Sequence, residues 1–400
     1  MPPMPRHPWL IVAVVLFGSV AAVIAQFAAP PLMPLLMAEF GIDLAQASAL
    51  MSVFSITGLV LALPAGVILG RFGPVTTGAI ALGAVVAGSV LGALAPSYPV
   101  LLASRLLQGV GVGLIGVTAP AVVAAAFTPE RRGTPMGIWA TWLPVGGLLM
   151  YNVAPALASA WGWRAAWWFS GAVGLAGLIL WVIALAGVTL GGERRQAAGD
   201  AGTARPDATA SFRAPFVPRG RDIWLLAATF GLVAVAFGGF NTFLPTFLVT
   251  DRGMDVGSAS RTASLVLLGS LVGSLLSGVI SDRIGSRRTV YTVAGLGLAV
   301  LWAVPFLVDP AIIPVVLLVI GLGSGAVPAA IFASAPEAMR DPRLAGAGMS
   351  AIMVGQNGGM VLGPVLIGAL ITATGWVAAG LVLGGFSLAG AIVGWRARVR

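Results

Sequence analysis

The chain contains no cysteine and no lysine, and its single histidine, His7, stands near the start. Without cysteine there can be no disulfide, thiolate metal site or thiol nucleophile. One histidine rules out a histidine triad or a multi-histidine metal centre. Charge is scarce as well: Asp, Glu, Lys and Arg together make up 9% of 400 residues, against about 25% in an ordinary soluble domain. Hydrophobic residues make up 58%, and the mean hydropathy is +1.00. A soluble protein of this make-up would expose large apolar patches and aggregate. Lipid is therefore the solvent for most of the chain. No phosphate-binding P-loop is present, so ATP hydrolysis is not the energy source, and there is no room for a soluble catalytic domain.

All 22 basic residues are arginine, set against 13 acidic ones, for a net charge of +9 and a pI near 11.5. The exclusive use of arginine reads as the codon bias of a GC-rich bacterial genome. Such a pI can signal nucleic-acid binding, but these arginines form no basic face and sit in the gaps between apolar runs. Those runs are too long for the roughly 10-residue alternating strands of a membrane barrel. They suit helices, which need about 20 apolar residues to cross.

Spans are expected near 8–37, 45–69, 76–96, 98–127, 135–158 and 166–190, then near 222–249, 258–281, 289–307, 311–335, 345–373 and 376–395. The fold class is all-α: twelve transmembrane helices as two pseudo-symmetric six-helix bundles, residues 1–190 and 222–400. The stretch 191–221 between them, rich in Arg, Gly, Ala and Pro, reads as a flexible linker. With both termini inside, eighteen arginines fall on the cytoplasmic side and three, Arg164, Arg252 and Arg261, on the other. That asymmetry sets the orientation in a bacterial cytoplasmic membrane. The apolar run after Arg6 is too long and too rich in proline for a cleaved signal sequence, so it is expected to stay.

The two halves repeat. Gly41-Ile42-Asp43 returns as Gly253-Met254-Asp255, and Gly70-Arg71-Phe72-Gly73 as Asp282-Arg283-Ile284-Gly285, both at an offset of 212. Pro34 and Pro245, Pro120 and Pro328, and Gly146-Gly147 and Gly358-Gly359 follow in the same order. A duplicated six-helix unit in parallel orientation places a solute site where the halves meet, and lets them rock about it.

The loop after the eighth span reads Gly278-Val-Ile-Ser-Asp282-Arg283-Ile-Gly285-Ser-Arg287-Arg288, and the fourth span carries Arg105-Leu-Leu-Gln108-Gly109-Val-Gly111. With Gly162-Trp163-Arg164 before the sixth span, these motifs resemble the major facilitator superfamily over nearly the whole chain. In texture they look most like its bacterial cyanate-porter-type members. The resemblance implies that helices 1, 4, 5, 7, 10 and 11 surround a central cavity. It also implies that Asp282 sits against the start of the fifth span near Thr134, paired with Arg131 and Arg132, as a latch when the transporter faces outward. Gly278, Asp282, Arg283, Gly285, Arg287, Arg131 and Arg132 are thus the gating candidates. The sequence departs from the family where Gly70 replaces the acid of the first-half loop, so the symmetrical charge lock cannot form.

A charge inside a membrane helix costs about 2.5–3.5 kcal/mol on insertion scales and is by default a functional candidate. Arg105 is the clear case, either an anchor for an anion through its rigid fork or a structural group bonded to carbonyls of the first helix. No Asp, Glu or His lies well inside a span, which argues against a conventional polyspecific cation exporter driven by a buried titrating acid. Uniport, anion exchange, or symport with the proton on the solute or a rim group remain. Gln26, Gln108, Tyr151, Asn152, Asn241, Thr242, Gln356 and Asn357 are the other solute-binding candidates, with interhelical hydrogen bonding as the alternative role of each. Trp139 and Trp142 read as packing or interface anchors ahead of a cavity wall. Asp43, with Gln46 three residues on, reads as a capping box, and Asp255 as a cap. Gly111-x-Gly113-x-x-Gly116 matches a dinucleotide fingerprint only formally, because no strand precedes it.

These observations point to a secondary active transporter, not an enzyme, moving a small organic or inorganic anion by alternating access. An exporter of amphipathic organic compounds is the nearest rival, and a non-transporting sensor or a lipid scramblase on the same fold the more distant one. No cofactor and no metal are expected. The expected partners are the small solute and the bilayer, with no nucleic acid, for a chain acting as a monomer.

Overall fold

The computed structural model of the protein describes residues 8–62, 64–127, 133–186, 220–339 and 345–399. The expected linker up to residue 219, and Arg131, Arg132 and His7, lie outside the described residues, while Arg221 at its expected end opens a helix. Among the described residues there is no strand, and twelve helices are long and apolar enough to cross a membrane. They are α1 Pro8–Phe40, α2 Leu44–Leu61, α3 Pro64–Ala93, α4 Tyr98–Ala126, α5 Thr134–Trp161 and α6 Arg164–Leu185. The second six are α7 Arg221–Thr250, α8 Val256–Ile284, α9 Arg287–Leu307, α10 Ile313–Met339, α11 Gly348–Thr374 and α12 Trp376–Trp395. An even number of crossings puts both chain ends on one face, here the terminal face.

Local chemistry sets the boundaries. Asp43 accepts from the Gln46 N–H at 2.7 Å while the Gln46 side chain accepts from the Asp43 N–H at 3.1 Å, a complete capping box at the start of α2. Asp255 opens α8 the same way, accepting from the Ser258 N–H at 2.9 Å. The turn between the second and third crossings lies inside α3, at Gly73-Pro74, where φ is 74° and ψ 170°. The first nine residues of α3 therefore prolong α2, which accounts for the apolar run expected to continue to residue 69.

Helix α1 is interrupted. Regular helix ends at Gln26, a 3₁₀ turn spans Pro30–Leu32, and helix resumes over Met33–Phe40. Proline carries no N–H and its ring clashes with the carbonyl four residues back. Pro30 therefore leaves the Gln26 carbonyl without its helical partner. A second break falls at Thr141 within α5.

The packing repeats with the sequence. In the first half α3 lies against α4 and α6, α2 against α4, and α1 against α5. In the second, α9 lies against α10 and α12, α8 against α10, and α7 against α11, each pair being the first-half pair moved on by six helices. The contact of α8 with α10 is backbone to backbone: a Cβ on Gly325 would lie 1.9 Å from the Ser270 carbonyl oxygen. Small residues give such approach when lipid leaves helices no hydrophobic drive to associate. Two seams, α2 with α11 and α5 with α8, join the halves, and the same six-helix shift exchanges them.

Candidate functional site

Hydrogen bonds close both seams in the halves of the helices away from the terminal face. Ser52 Oγ donates to the Val361 carbonyl at 2.8 Å across α2 and α11. Ser260 Oγ donates to the Tyr151 carbonyl at 2.5 Å and Asn152 Nδ2 to Ser264 Oγ at 3.2 Å across α5 and α8. The Tyr151 hydroxyl, fully buried, reaches the Asn241 carbonyl of α7 at 2.6 Å. Toward the terminal face, Asp282 and Arg283 are exposed and make no hydrogen bond or ion pair among the described residues. The molecule is thus fastened on the face opposite its termini.

Beneath that seam lies a small cavity between the halves, open in part to solvent. Gln26 of α1, Trp142 of α5, and Gln356 and Asn357 of α11 line it, with Met353 and Met360 beside them. Val112, Gly113, Gly116 and Val117 of α4 form another wall, and Ala62 and Leu143 complete the lining. None of these residues is charged. Gln26 is 4% exposed, and its Oε1 has no hydrogen-bond partner. Gln356 and Asn357 make no side-chain hydrogen bond among the described residues, so three amides bring open valences to one space. Trp142 stacks on Trp139 at 5.5 Å and 17°, and the Trp139 indole is held by Ser19 Oγ at 3.1 Å. Trp142 is a cavity wall, where the sequence favoured packing.

The other six expected solute ligands do not line this cavity, and all but Asn241, whose buried Oδ1 has no partner, are occupied elsewhere. Arg105 is fully buried, and all five of its N–H groups are taken. Nε donates to the Leu50 carbonyl at 2.9 Å, and one terminal nitrogen donates to the Ala25 carbonyl and to Gln108 Oε1, both at 2.6 Å. The second terminal nitrogen donates to the Gln26 carbonyl at 2.8 Å and to Met51 Sδ at 3.7 Å. The guanidinium also lies 4.6 Å from the centre of the Phe54 ring. In this conformation no N–H of Arg105 is left over for an anion, the arrangement expected of the structural alternative. It supplies donors where the proline break in α1 leaves carbonyls bare. Gln108 is equally spoken for, with Oε1 on Arg105 and Nε2 donating to Ser89 Oγ at 3.0 Å. Asn152, Asn241 and Thr242 each donate to the carbonyl four residues back, and Tyr151 serves the seam.

Among the gating candidates, Arg287 binds Glu337 and donates to the Ala333 carbonyl at 2.7 Å, tying α9 to α10 inside one half. Gly285 ends α8 at a φ of +69°, a conformation costly for any residue with a Cβ. A Cβ on Gly278 would meet nothing within 4 Å. Asp282 has no partner among the described residues, and Arg131 and Arg132 of the expected latch lie outside them. Met353 and Met360 carried no signal in the sequence, and Gly116 only a formal dinucleotide match. The small-residue spacing around Gly113 was visible, but not which side of α4 faces the cavity. Among the described residues, no three His, Asp or Glu side chains converge to hold a metal.

A profile of the Major Facilitator Superfamily matches residues 15–356, with a second match over 262–400. The uncharacterized MFS-type transporter Rv1250 of Mycobacterium tuberculosis is 29% identical over 44% of this chain. The cyanate transport protein CynX of Escherichia coli is 30% identical over 48% of it, and an MFS-type efflux pump of Mycolicibacterium smegmatis 28% over 63%. The matched stretches span 30%, 44% and 57% of those relatives' own lengths. With the profile covering most of the chain and twelve apolar helices in two matching halves, the chain belongs to the major facilitator superfamily.

Proposed function

We propose that the protein is a secondary active transporter of a bacterial cytoplasmic membrane that moves a small polar solute, by preference a small anion, through alternating access. The observation that carries this reading is the cavity between the halves, which the amides of Gln26, Gln356 and Asn357 line and no acid faces. An amide NH₂ donates two hydrogen bonds. Three such groups can replace part of the water around a carboxylate-like or linear anion, whereas a cation would meet no counter-charge. The cyanate transport protein among the relatives supports the same class. With no titrating group on the cavity, charge movement is carried by the solute, as exchange or as a solute that brings its own proton.

The arginine-rich terminal face is the cytoplasmic one on this reading, so the conformation described is open inward. Asp282 then engages the start of α5 only after the opposite seam parts.

An amphipathic organic solute is the second reading, favoured by the Trp142, Met353 and Met360 side of the cavity and by the efflux pump among the relatives. Thermal shift of the detergent-purified protein separates the two. A ligand at 100 times its dissociation constant, binding only the folded state, adds about 2.7 kcal/mol. Small monocarboxylates and linear inorganic anions are expected to raise the melting temperature of the wild type and not of Gln356→Leu. Stabilisation by lipophilic cations or neutral aromatics alone would overturn the anion preference. Counterflow in proteoliposomes, absent from a sensor, tests transport itself.

A further inference from the structure

Two glycines of α4 line the cavity three residues apart, and they have different surroundings. A Cβ on Gly113 would lie 3.1 Å from the Gly58 Cα and 3.1 Å from the Leu61 Cβ, so that position is filled by the packing of α4 on α2. A Cβ on Gly116 would meet nothing within 4 Å. Gly116 is therefore not small to let a helix approach. Its helical position also gains nothing from glycine's backbone freedom, since glycine there only weakens the helix. Gln26, whose buried amide oxygen has no partner, lines the same cavity. An acceptor held out of water without a partner is costly, and a solute that arrives with its own proton satisfies it where a bare anion does not.

From this pairing we propose that Gly116 is the size-setting position of the solute site. Its missing side chain is the room that the solute occupies against the Gln26 amide. The proposal rests on the reading that this cavity carries the solute. A side chain at 116 projects into the cavity without disturbing the helix contacts. Each added carbon removes the largest accepted solutes first and leaves the fold intact. Gly113 and Gly109 behave in the opposite way. A Cβ at Gly109 would lie 2.2 Å from the Phe54 carbonyl oxygen, so substitutions there break packing before they alter selectivity.

The absence of cysteine makes the test clean, because a single introduced thiol is unique. The reporter is Met353→Cys in the full chain, labelled by sodium (2-sulfonatoethyl) methanethiosulfonate, with Gly116, Gly116→Ala or Gly116→Leu beside it. Labelling is expected to slow at least tenfold from Gly to Leu, with Ala between them, while the melting temperature holds or rises. Gly83→Leu, also in open space but off the cavity, is expected to leave the rate unchanged. An unchanged rate in Gly116→Leu, or a slowing accompanied by collapse of the melting temperature, overturns the proposal. A second arm follows stabilisation by formate, acetate, propionate and butyrate, where Gly116→Ala is expected to lose the longer acids first. If the reporter slows as expected but no carboxylate stabilises even the wild type, the anion preference fails while the size-setting role stands.

Discussion

Replacing Arg105 separates a structural tie from a ligand contact, and the magnitudes decide which. The side chain makes four hydrogen bonds to oxygen, three of them to backbone carbonyls on α1 and α2. Interhelical hydrogen bonds within a membrane average about 0.6 kcal/mol and reach about 1.7, so four are worth roughly 2.4–7 kcal/mol. The lower part of that range is offset by relief from burying a cation that contacts no carboxylate, since desolvating a charge is itself costly. The upper part is favoured because the Gln26 carbonyl has already lost its helical partner to Pro30. A net loss of about 3–5 kcal/mol is expected for Arg105→Ala. At about 2–4 °C per kcal/mol for a unit of 150–250 residues, the melting temperature falls on the order of 10 °C. Arg105→Lys keeps the charge but offers three donors on a flexible stem in place of a planar fork of five. It is expected to recover less than half of the loss. The assay is intrinsic tryptophan fluorescence during heating, for which 12 tryptophans supply the signal. A different result would refute the reasoning: Arg105→Ala melting within about 2 °C of wild type while stabilisation by small anions disappears, with Arg105→Lys restoring it. That outcome would return Arg105 to the solute.

Gln26→Leu removes a buried amide whose oxygen has no partner, so its melting temperature is expected to hold or rise while anion stabilisation is lost. A fall in stability without a change in binding would assign Gln26 to packing. Tyr151→Phe deletes the 2.6 Å bond to the Asn241 carbonyl across the closed seam. It is expected to shift the population toward the conformation open on that face, read as faster labelling of an introduced Ser260→Cys by a membrane-impermeant thiol reagent. Hydrogen bonds from the Ser258 side chain and N–H hold the Asp255 carboxylate below its ordinary value of 3.8. A depressed pKa means that the cap's stabilisation is present above the unfolded value and is lost as pH falls through the folded one. Acidification below 3.8 is therefore expected to lower the melting temperature of wild type more than that of Asp255→Asn, a cap that does not titrate. Equal acid sensitivity would place the loss elsewhere.

The architecture was legible because lipid imposes a simple rule on sequence: each crossing needs a long apolar run, and charges collect between runs. The repeat Gly41-Ile42-Asp43 and Gly253-Met254-Asp255 even fixed which helix starts correspond, and the aspartates cap as their spacing demands. What the sequence could not give was direction around a helix. The hydrophobic runs are apolar on every side, so no amphipathic stripe distinguishes the cavity face of α4 from its lipid face. Gly113 and Gly116 look alike in sequence and differ only in what stands opposite them. The role of Arg105 was hidden for a related reason. Its acceptors lie 79 and 80 positions away in sequence, and only the break at Pro30 makes one of them needy.

Polarity within a membrane span is a guide to function only after the group's own helix has been consulted. Asn152, Asn241 and Thr242 reach the carbonyl four residues back, a bond that a short polar side chain closes locally. Arg105 and Gln108, three residues apart on one face of α4, close on each other and on the broken end of α1. Tyr151 spends its hydroxyl on the seam. Beyond these bonds, the buried oxygens of Gln26 and Asn241 have no partner, and of the two only Gln26 lines the cavity, beside Gln356 and Asn357. The sorting is physical: a buried polar atom with a partner in the protein stabilises one conformation, whereas one without a partner destabilises the empty site and is satisfied when a solute arrives. On the proposed reading, the cost of leaving the Gln26 oxygen open is a source of specificity, because a solute that cannot donate a hydrogen bond leaves it as unpaired as before.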